Sequence, residues 1–165
     1  MTSHTSEPDA VAIAPAMGVR LRHRVEHVDT DSCGVVHFSR YNSLMETVVL
    51  DLLEEHQAGL TDLAEQDLAL AMTELTVRYL RPTHYRDRLT GWAAIVHVGG
   101  AQFRAAVTLA RQEPDGSTDI AVGRLGFAAV HLRSGRPRPL PATVRRTLKR
   151  LSDPSGPDHP DKEPT

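Results

Sequence analysis

Between Val19 and Leu53 the spacing of apolar residues changes once, from every second position to every third or fourth. That change limits the possible folds more than any other feature of the chain. Val19, Leu21, His23, Val25 and His27 alternate with Arg20, Arg22, Arg24 and Glu26, the repeat of a strand with one face buried. From Tyr41 onward, Tyr41, Leu44, Met45, Val48, Val49, Leu52 and Leu53 share one helical face, and Asn42, Glu46, Asp51, Glu54 and Glu55 take the other. The pattern predicts a strand, a link, and one amphipathic helix of about four turns over 41–56, stopped near Gly59. Ser39 competes with a Ser43–Glu46 capping box for the start, and Ser39 is preferred because Tyr41 already fits the apolar face.

The remainder reads as strands. Thr73, Leu75, Val77 and Tyr79 alternate with Glu74, Thr76 and Arg78 until Pro82 closes the run. Three more strands are expected at 88–98, 101–111 and 119–131. Gly99-Gly100 suits a two-residue hairpin turn and 114–117 a looser one, so these three should form an antiparallel meander. A short basic helix over 142–151 ends the pattern. Strand, long helix, then four strands is an α+β order: an antiparallel sheet laid against one helix. One helix cannot cover much sheet, and an open edge invites pairing with a second copy, so a homo-oligomer is expected.

Residues 1–17 and 152–165 lack periodicity and are expected to be disordered tails around a single domain at 18–151. With 40% hydrophobic residues that domain can build a real core. A net charge of -2 and a pI near 6.5 carry no strong field, so neither nucleic acid nor an anionic membrane is implied as partner. No secretory leader or membrane-length apolar run is visible, which makes a cytoplasmic location the expectation. Cys33 is the one cysteine and cannot form an intramolecular disulfide.

Two stretches compete to carry chemistry. His23-Arg24-Val25-Glu26-His27 matches an H-x-x-E-H zinc motif. Such ligands converge only on a helix; on a strand the two imidazoles lie roughly 13 Å apart, at about 3.3 Å per residue. The expected reading is therefore two half-buried strand histidines. The second stretch is 29–41, Asp-Thr-Asp-Ser-Cys-Gly-Val-Val-His-Phe-Ser-Arg-Tyr, which links the strand to the helix. It sets two carboxylates beside a helix N-terminus, whose unpaired N–H groups and dipole can hold an oxyanion while a carboxylate attacks or activates water. Asp29 or Asp31 capping loop amides is the structural alternative.

Asp29-Thr30-Asp31, Gly34-Val35-Val36 and Tyr41, at this spacing and with Glu46 following, resemble the signature of the 4-hydroxybenzoyl-CoA thioesterase-like branch of hotdog-fold proteins. Thr76-Val77-Arg78-Tyr79-Leu80-Arg81-Pro82 and Arg138-Pro139-Leu140-Pro141 are similar to that family's second strand and its link to the last helix. The resemblance implies a hotdog sheet wrapped around the long helix and hydrolysis of acyl-CoA or acyl-carrier-protein thioesters, without metal or organic cofactor. It also implies a homodimer or homotetramer with its site at a subunit interface. By position, Asp31 matches the catalytic acid, as nucleophile or general base, and Phe38 supplies the backbone N–H that polarises the thioester carbonyl. Asp29 then has a supporting or structural part. Gly34, Val35, Val36, His37, Tyr41 and Glu46 fall where the family meets substrate.

Ser32-Cys33, His37-Phe38 and Arg40 depart from the commoner pattern. Arg40 is open to two readings, a contact to a substrate carboxylate or phosphate, and a solvated arginine at the helix start. His37 is open as a second acid or base and as a packing residue. Glu46, on the polar face, is also readable as a solvated charge. The acyl group stays open between a housekeeping acyl-CoA and a carrier-bound polyketide or aryl chain. Three rival classes are a hotdog hydratase or dehydratase, whose His after Asn-Pro is missing here, a non-catalytic acyl-thioester-binding module, and, weakest, the zinc peptidase suggested by His23 to His27; a cysteine-acyl mechanism through Cys33 is an alternative route within the enzyme reading.

Overall fold

The computed structural model describes residues 21–153. Val19, the expected tail 1–17 and all but Ser152 and Asp153 of the other tail fall outside that range. Strand β1, Leu21–Arg24, is followed by a 3-10 turn at His27–Asp29, the helix α1 at Phe38–Glu55 and a short helix α2 at Leu60–Ala64. Strands β2 (Leu68–Tyr79), β3 (Arg88–Val98), β4 (Gln102–Glu113) and β5 (Gly116–His131) come next, and α3, Ala142–Ser152, closes the order. The five strands form one antiparallel sheet in the order β1-β3-β4-β5-β2, curled against α1 as in the hotdog fold.

The core follows from the two periods. Tyr41, Leu44, Met45, Val48, Val49, Leu52 and Leu53 are the buried residues of α1. They meet Leu89, Ala93 and Ile95 of β3, Ala105, Val107 and Leu109 of β4 and Leu125 and Phe127 of β5 in a single cluster that also takes Val144, Leu148 and Leu151 of α3. Helix and sheet approach closely because two strand positions lack side chains. A Cβ at Gly91 would lie 2.6 Å from Val48 Cγ2, and one at Gly123 would lie 2.5 Å from Met45 Sδ.

Several boundaries differ from the sequence expectation. The first strand stops at Arg24, and His27 is exposed in the 3-10 turn instead of half-buried on a strand. Helix α1 begins at Phe38, with His37 as N-cap in place of Ser39. It ends at Glu55, where Gln57 turns into the left-handed region, and Gly59 caps the start of α2 instead of stopping α1. Strand β2 starts five residues before Thr73, at Leu68, and carries a bulge between Met72 and Glu74. In the β3–β4 hairpin the Gly99 N–H donates to the Gln102 carbonyl at 2.7 Å, so the central pair is Gly100-Ala101. Pro114-Asp115 alone joins β4 to β5, since Glu113 already pairs with Gly116. The short β1 and the 12-residue β2 form the two edges of the sheet.

Candidate active site

The link between β1 and α1 is a closed loop, held at its base by the backbone. The His37 N–H donates to the Asp29 carbonyl at 2.8 Å, Thr30 pairs with Val36, and the Asp31 N–H donates to the Val35 carbonyl at 2.9 Å. Gly34, at φ 78, makes the reversal in a conformation that a side chain would strain, and its N–H donates to the Asp31 carbonyl at 3.0 Å. The returning limb is tied to the segment before β3, because the Val36 N–H donates to the Thr83 carbonyl at 2.8 Å and Val35 bridges to His84. Val36 is buried, and Val35 is half-buried.

Asp31 sits at the first corner of this loop, half-buried. Its Oδ1 accepts from the Cys33 N–H at 2.8 Å. Oδ2 has no partner among the described residues, so one carboxylate oxygen orients the side chain and the other is left unpaired. The loop-capping alternative thus describes one half of Asp31. Cys33 is an exposed free thiol.

The helix start lies at the far end of the same loop. His37 Nδ1 accepts from the Ser39 N–H at 3.2 Å and lies 2.7 Å from Ser39 Oγ. That acceptor role puts the ring proton of neutral His37 on Nε2 and makes His37 a cap. The Phe38 N–H, at the first helical position, finds no acceptor among the described residues. The Phe38 ring is 63% exposed and packs on His37 at 4.3 Å between centroids. At the positive end of α1, this N–H is available to a carbonyl oxygen.

Asp29 and Asp31 have opposite surroundings. Asp29 is 2% exposed, and its Oδ2 accepts from the Glu26 N–H and from His23 Nε2, each at 2.8 Å, while Oδ1 accepts from Arg40 Nε at 2.8 Å. Burial alone would raise its pKa, but the Glu26 N–H, His23 and Arg40 outweigh it and hold the carboxyl below the ordinary carboxylate range. Beside the two sequence readings of Arg40 the structure sets a third feature: its Nε is paired with Asp29, while the side chain stays 39% exposed. His23 and His27 likewise part company, one bonded to Asp29 and the other exposed, and among the described residues no group of three His, Cys, Asp or Glu could hold a metal ion.

Tyr41 is 4% exposed, and its hydroxyl is paired with Thr83 Oγ1 in the core, where burial pushes the phenol pKa up. Glu46 is half-buried on α1. It shares a helical row with Phe38 and Asn42, at i, i+4 and i+8. Asn42, which the sequence pattern places on the polar face, has its Oδ1 buried without a hydrogen-bond partner, an acceptor one turn from Phe38. Its spacing from Phe38 was the available signal. Tyr79 of β2, also unassigned from sequence, places its ring edge-on to Tyr41 at 5.2 Å and its hydroxyl 3.4 Å from the Phe38 carbonyl.

Comparison with known proteins identifies the family of the fold that carries this loop. The family model described as the thioesterase-like superfamily matches residues 25–148. The chain belongs to that superfamily. No curated protein matches the sequence significantly. Among solved structures, a 1,4-dihydroxy-2-naphthoyl-CoA thioesterase from Synechocystis is 21% identical with a TM-score of 0.69, over 81% of this chain and 97% of that one. The dynemicin thioesterase is 23% identical with a TM-score of 0.71, over 81% and 96%. A Staphylococcus aureus protein solved in complex with CoA is 16% identical with a TM-score of 0.74, over 93% and 94%. At these identities the likeness shows the shared fold. In this chain the 29–41 segment spans the turn from first strand to long helix.

Proposed function

We propose that this member of the thioesterase-like superfamily hydrolyses acyl thioesters of CoA or of a carrier protein, with Asp31 as the catalytic carboxylate and the Phe38 N–H as oxyanion donor. The observation that carries the reading is the pairing of a half-free carboxylate and an unpartnered helix-start N–H on one closed loop. Asp31 either attacks the thioester carbonyl or removes a proton from the attacking water, and in both cases the carbonyl oxygen gains negative charge beside the Phe38 N–H. Collapse breaks the C–S bond and expels the thiolate. In the base route the thiolate takes the proton Asp31 removed from water, and the acid is free. In the nucleophile route a mixed anhydride with Asp31 remains, which water hydrolyses, releasing the acid and a proton for the thiolate and restoring the carboxylate. The chain's own groups suffice for this sequence.

The Synechocystis structure of similar fold is named for an aromatic acyl-CoA compound, and the exposed Phe38 and Tyr79 rings beside the loop suit a flat apolar acyl group. Aryl-CoA is therefore the first substrate class to test. The 12-residue edge strand β2, whose Tyr79 reaches Phe38, favours a homodimer, alone or as half of a tetramer, with the site near the junction.

The test is CoA release from acetyl-, hexanoyl-, palmitoyl- and benzoyl-CoA by wild type and by Asp31→Asn. The expected result is turnover by wild type and a loss of about 10²- to 10⁴-fold in kcat in the variant, with its melting temperature retained. Full activity in Asp31→Asn refutes the role of the acid. Tight binding without turnover by wild type refutes the enzyme in favour of a binding module.

A further inference from the structure

Asp29 ties three separate pieces of chain to one carboxylate: His23 on β1, the Glu26 N–H of the 3-10 turn, and Arg40 in the first turn of α1. Its backbone carbonyl accepts the His37 N–H and so closes the base of the loop. The two groups of the proposed reaction hang from that base, Asp31 two residues after Asp29 and Phe38 one residue after His37. If Asp29 rotates, the side-chain tie between the two limbs is lost and only the backbone bonds at the base still join them, because Arg40 belongs to the limb that bears Phe38 and His23 to the strand that leads toward Asp31.

We infer that Arg40 and His23 are positioning residues, acting through Asp29 to hold the Asp31 carboxylate and the Phe38 N–H at a fixed separation. This rests on the thioesterase reading above. Neither residue touches the reacting atoms in this scheme. Arg40 is suited to the task because its Nε approaches Asp29 Oδ1 from the side opposite His23, which occupies Oδ2, so the carboxylate is held across both oxygens. A displacement of about 1 Å between reacting groups can cost on the order of 10²-fold in rate. The Arg40 side chain is 39% exposed but neutralises a carboxylate that is 2% exposed, so its removal costs stability as well as geometry, and the experiment has to separate the two.

The experiment compares wild type, Arg40→Met, Arg40→Lys, His23→Leu and His23→Gln as full chains. It uses whichever of benzoyl-CoA and hexanoyl-CoA wild type turns over faster, with hydrogen–deuterium exchange of the 29–41 segment measured in parallel. Arg40→Met and His23→Leu should lower kcat by about 10- to 100-fold with KM within about twofold, and accelerate exchange in 30–37 but not in β4. Arg40→Lys and His23→Gln, which keep a donor, should recover part of kcat. A KM rise with kcat retained would make Arg40 a substrate contact and overturn the inference. So would wild-type kcat with unaltered exchange, or faster exchange across all strands, which marks plain destabilisation. If wild type turns over neither thioester while exchange in 30–37 still accelerates, the clamp stands and the thioesterase reading fails.

Discussion

Placing a methyl group at position 91 tests whether the seat of α1 on the sheet is as tight as the backbone implies. In Gly91→Ala the new Cβ would lie 2.6 Å from Val48 Cγ2, 2.9 Å from Leu109 Cδ2 and 3.2 Å from Leu21 Cβ. Comfortable carbon–carbon contact is about 3.5–4.0 Å, so the closest approach is about 1 Å too short. The three neighbours come from α1, β4 and β1, and Val48 and Leu109 are fully buried, so no side can yield without moving an element. Overpacking of this kind costs about 1–3 kcal/mol, and the lost freedom of the unfolded chain returns about 0.4–1 kcal/mol. A net destabilisation of about 1.3 kcal/mol follows from the midpoints, roughly 4–7 °C in melting temperature for a domain of this size. Gly123→Ala should be milder, because its closest contact is the sulfur of Met45, an unbranched side chain that can swing aside. The decisive assay is a urea-melt cycle of Gly91→Ala, Val48→Ala and the double variant. Val48→Ala alone should cost about 2 kcal/mol, and the double should cost at least about 1 kcal/mol less than the sum, since each change makes room for the other. Additive losses, or a wild-type melt for Gly91→Ala, would refute the reasoning. A shift of α1 also carries Phe38 with it, so kcat should fall in Gly91→Ala and recover in the double variant.

The remaining expectations concern pH and assembly. Because the folded-state pKa of Asp29 is depressed, its contribution to stability is complete above the unfolded carboxylate value of about 3.9 and is lost as pH falls through the folded value. The stability gap between wild type and Asp29→Asn, with His23, Glu26 and Arg40 left in place around the site, should be full at about pH 6–7 and shrink below about pH 4; a gap constant across that range would contradict the assignment. Light scattering of the purified chain should give at least twice its 18.1 kDa, and a monomer at micromolar concentration would dismiss pairing through β2.

What could be read in advance was whatever has a period. The alternation to Arg24, the apolar face from Tyr41 to Leu53 and the three-strand meander all state their burial through side chains close in sequence. The helix start was not legible in that way. Phe38 is exposed and adds nothing to an apolar face, and a histidine cap has a weaker sequence signal than the serine two residues later. Helix α2, five residues long, is little more than one turn, and the first part of β2, Leu-Ala-Leu-Ala-Met, does not alternate with polar residues. At the site, the contiguous stretch 29–41 put two acids beside a helix start, and the family resemblance then pointed to Asp31 and Phe38, whose roles are proposed here. The Arg40–Asp29 pair, eleven residues apart, and the Tyr79–Phe38 contact, 41 apart, exist only once the chain has folded, and no local pattern announces them. The buried oxygen of Asn42 was hidden for a related reason: helical spacing placed it at the margin of the core, where burial depends on the neighbouring element.

The acid and the N–H proposed for the reaction lie within eight consecutive residues, 31–38, while Tyr79, Thr83 and His84 around them arrive from distant parts of the chain. Such a layout separates two kinds of inheritance. A lineage can pass on the reactive segment as one short block, little affected by drift elsewhere, and meanwhile vary the rings and loops that meet the acyl group. Descendants built this way would diverge in what they accept long before they diverge in what they do to it.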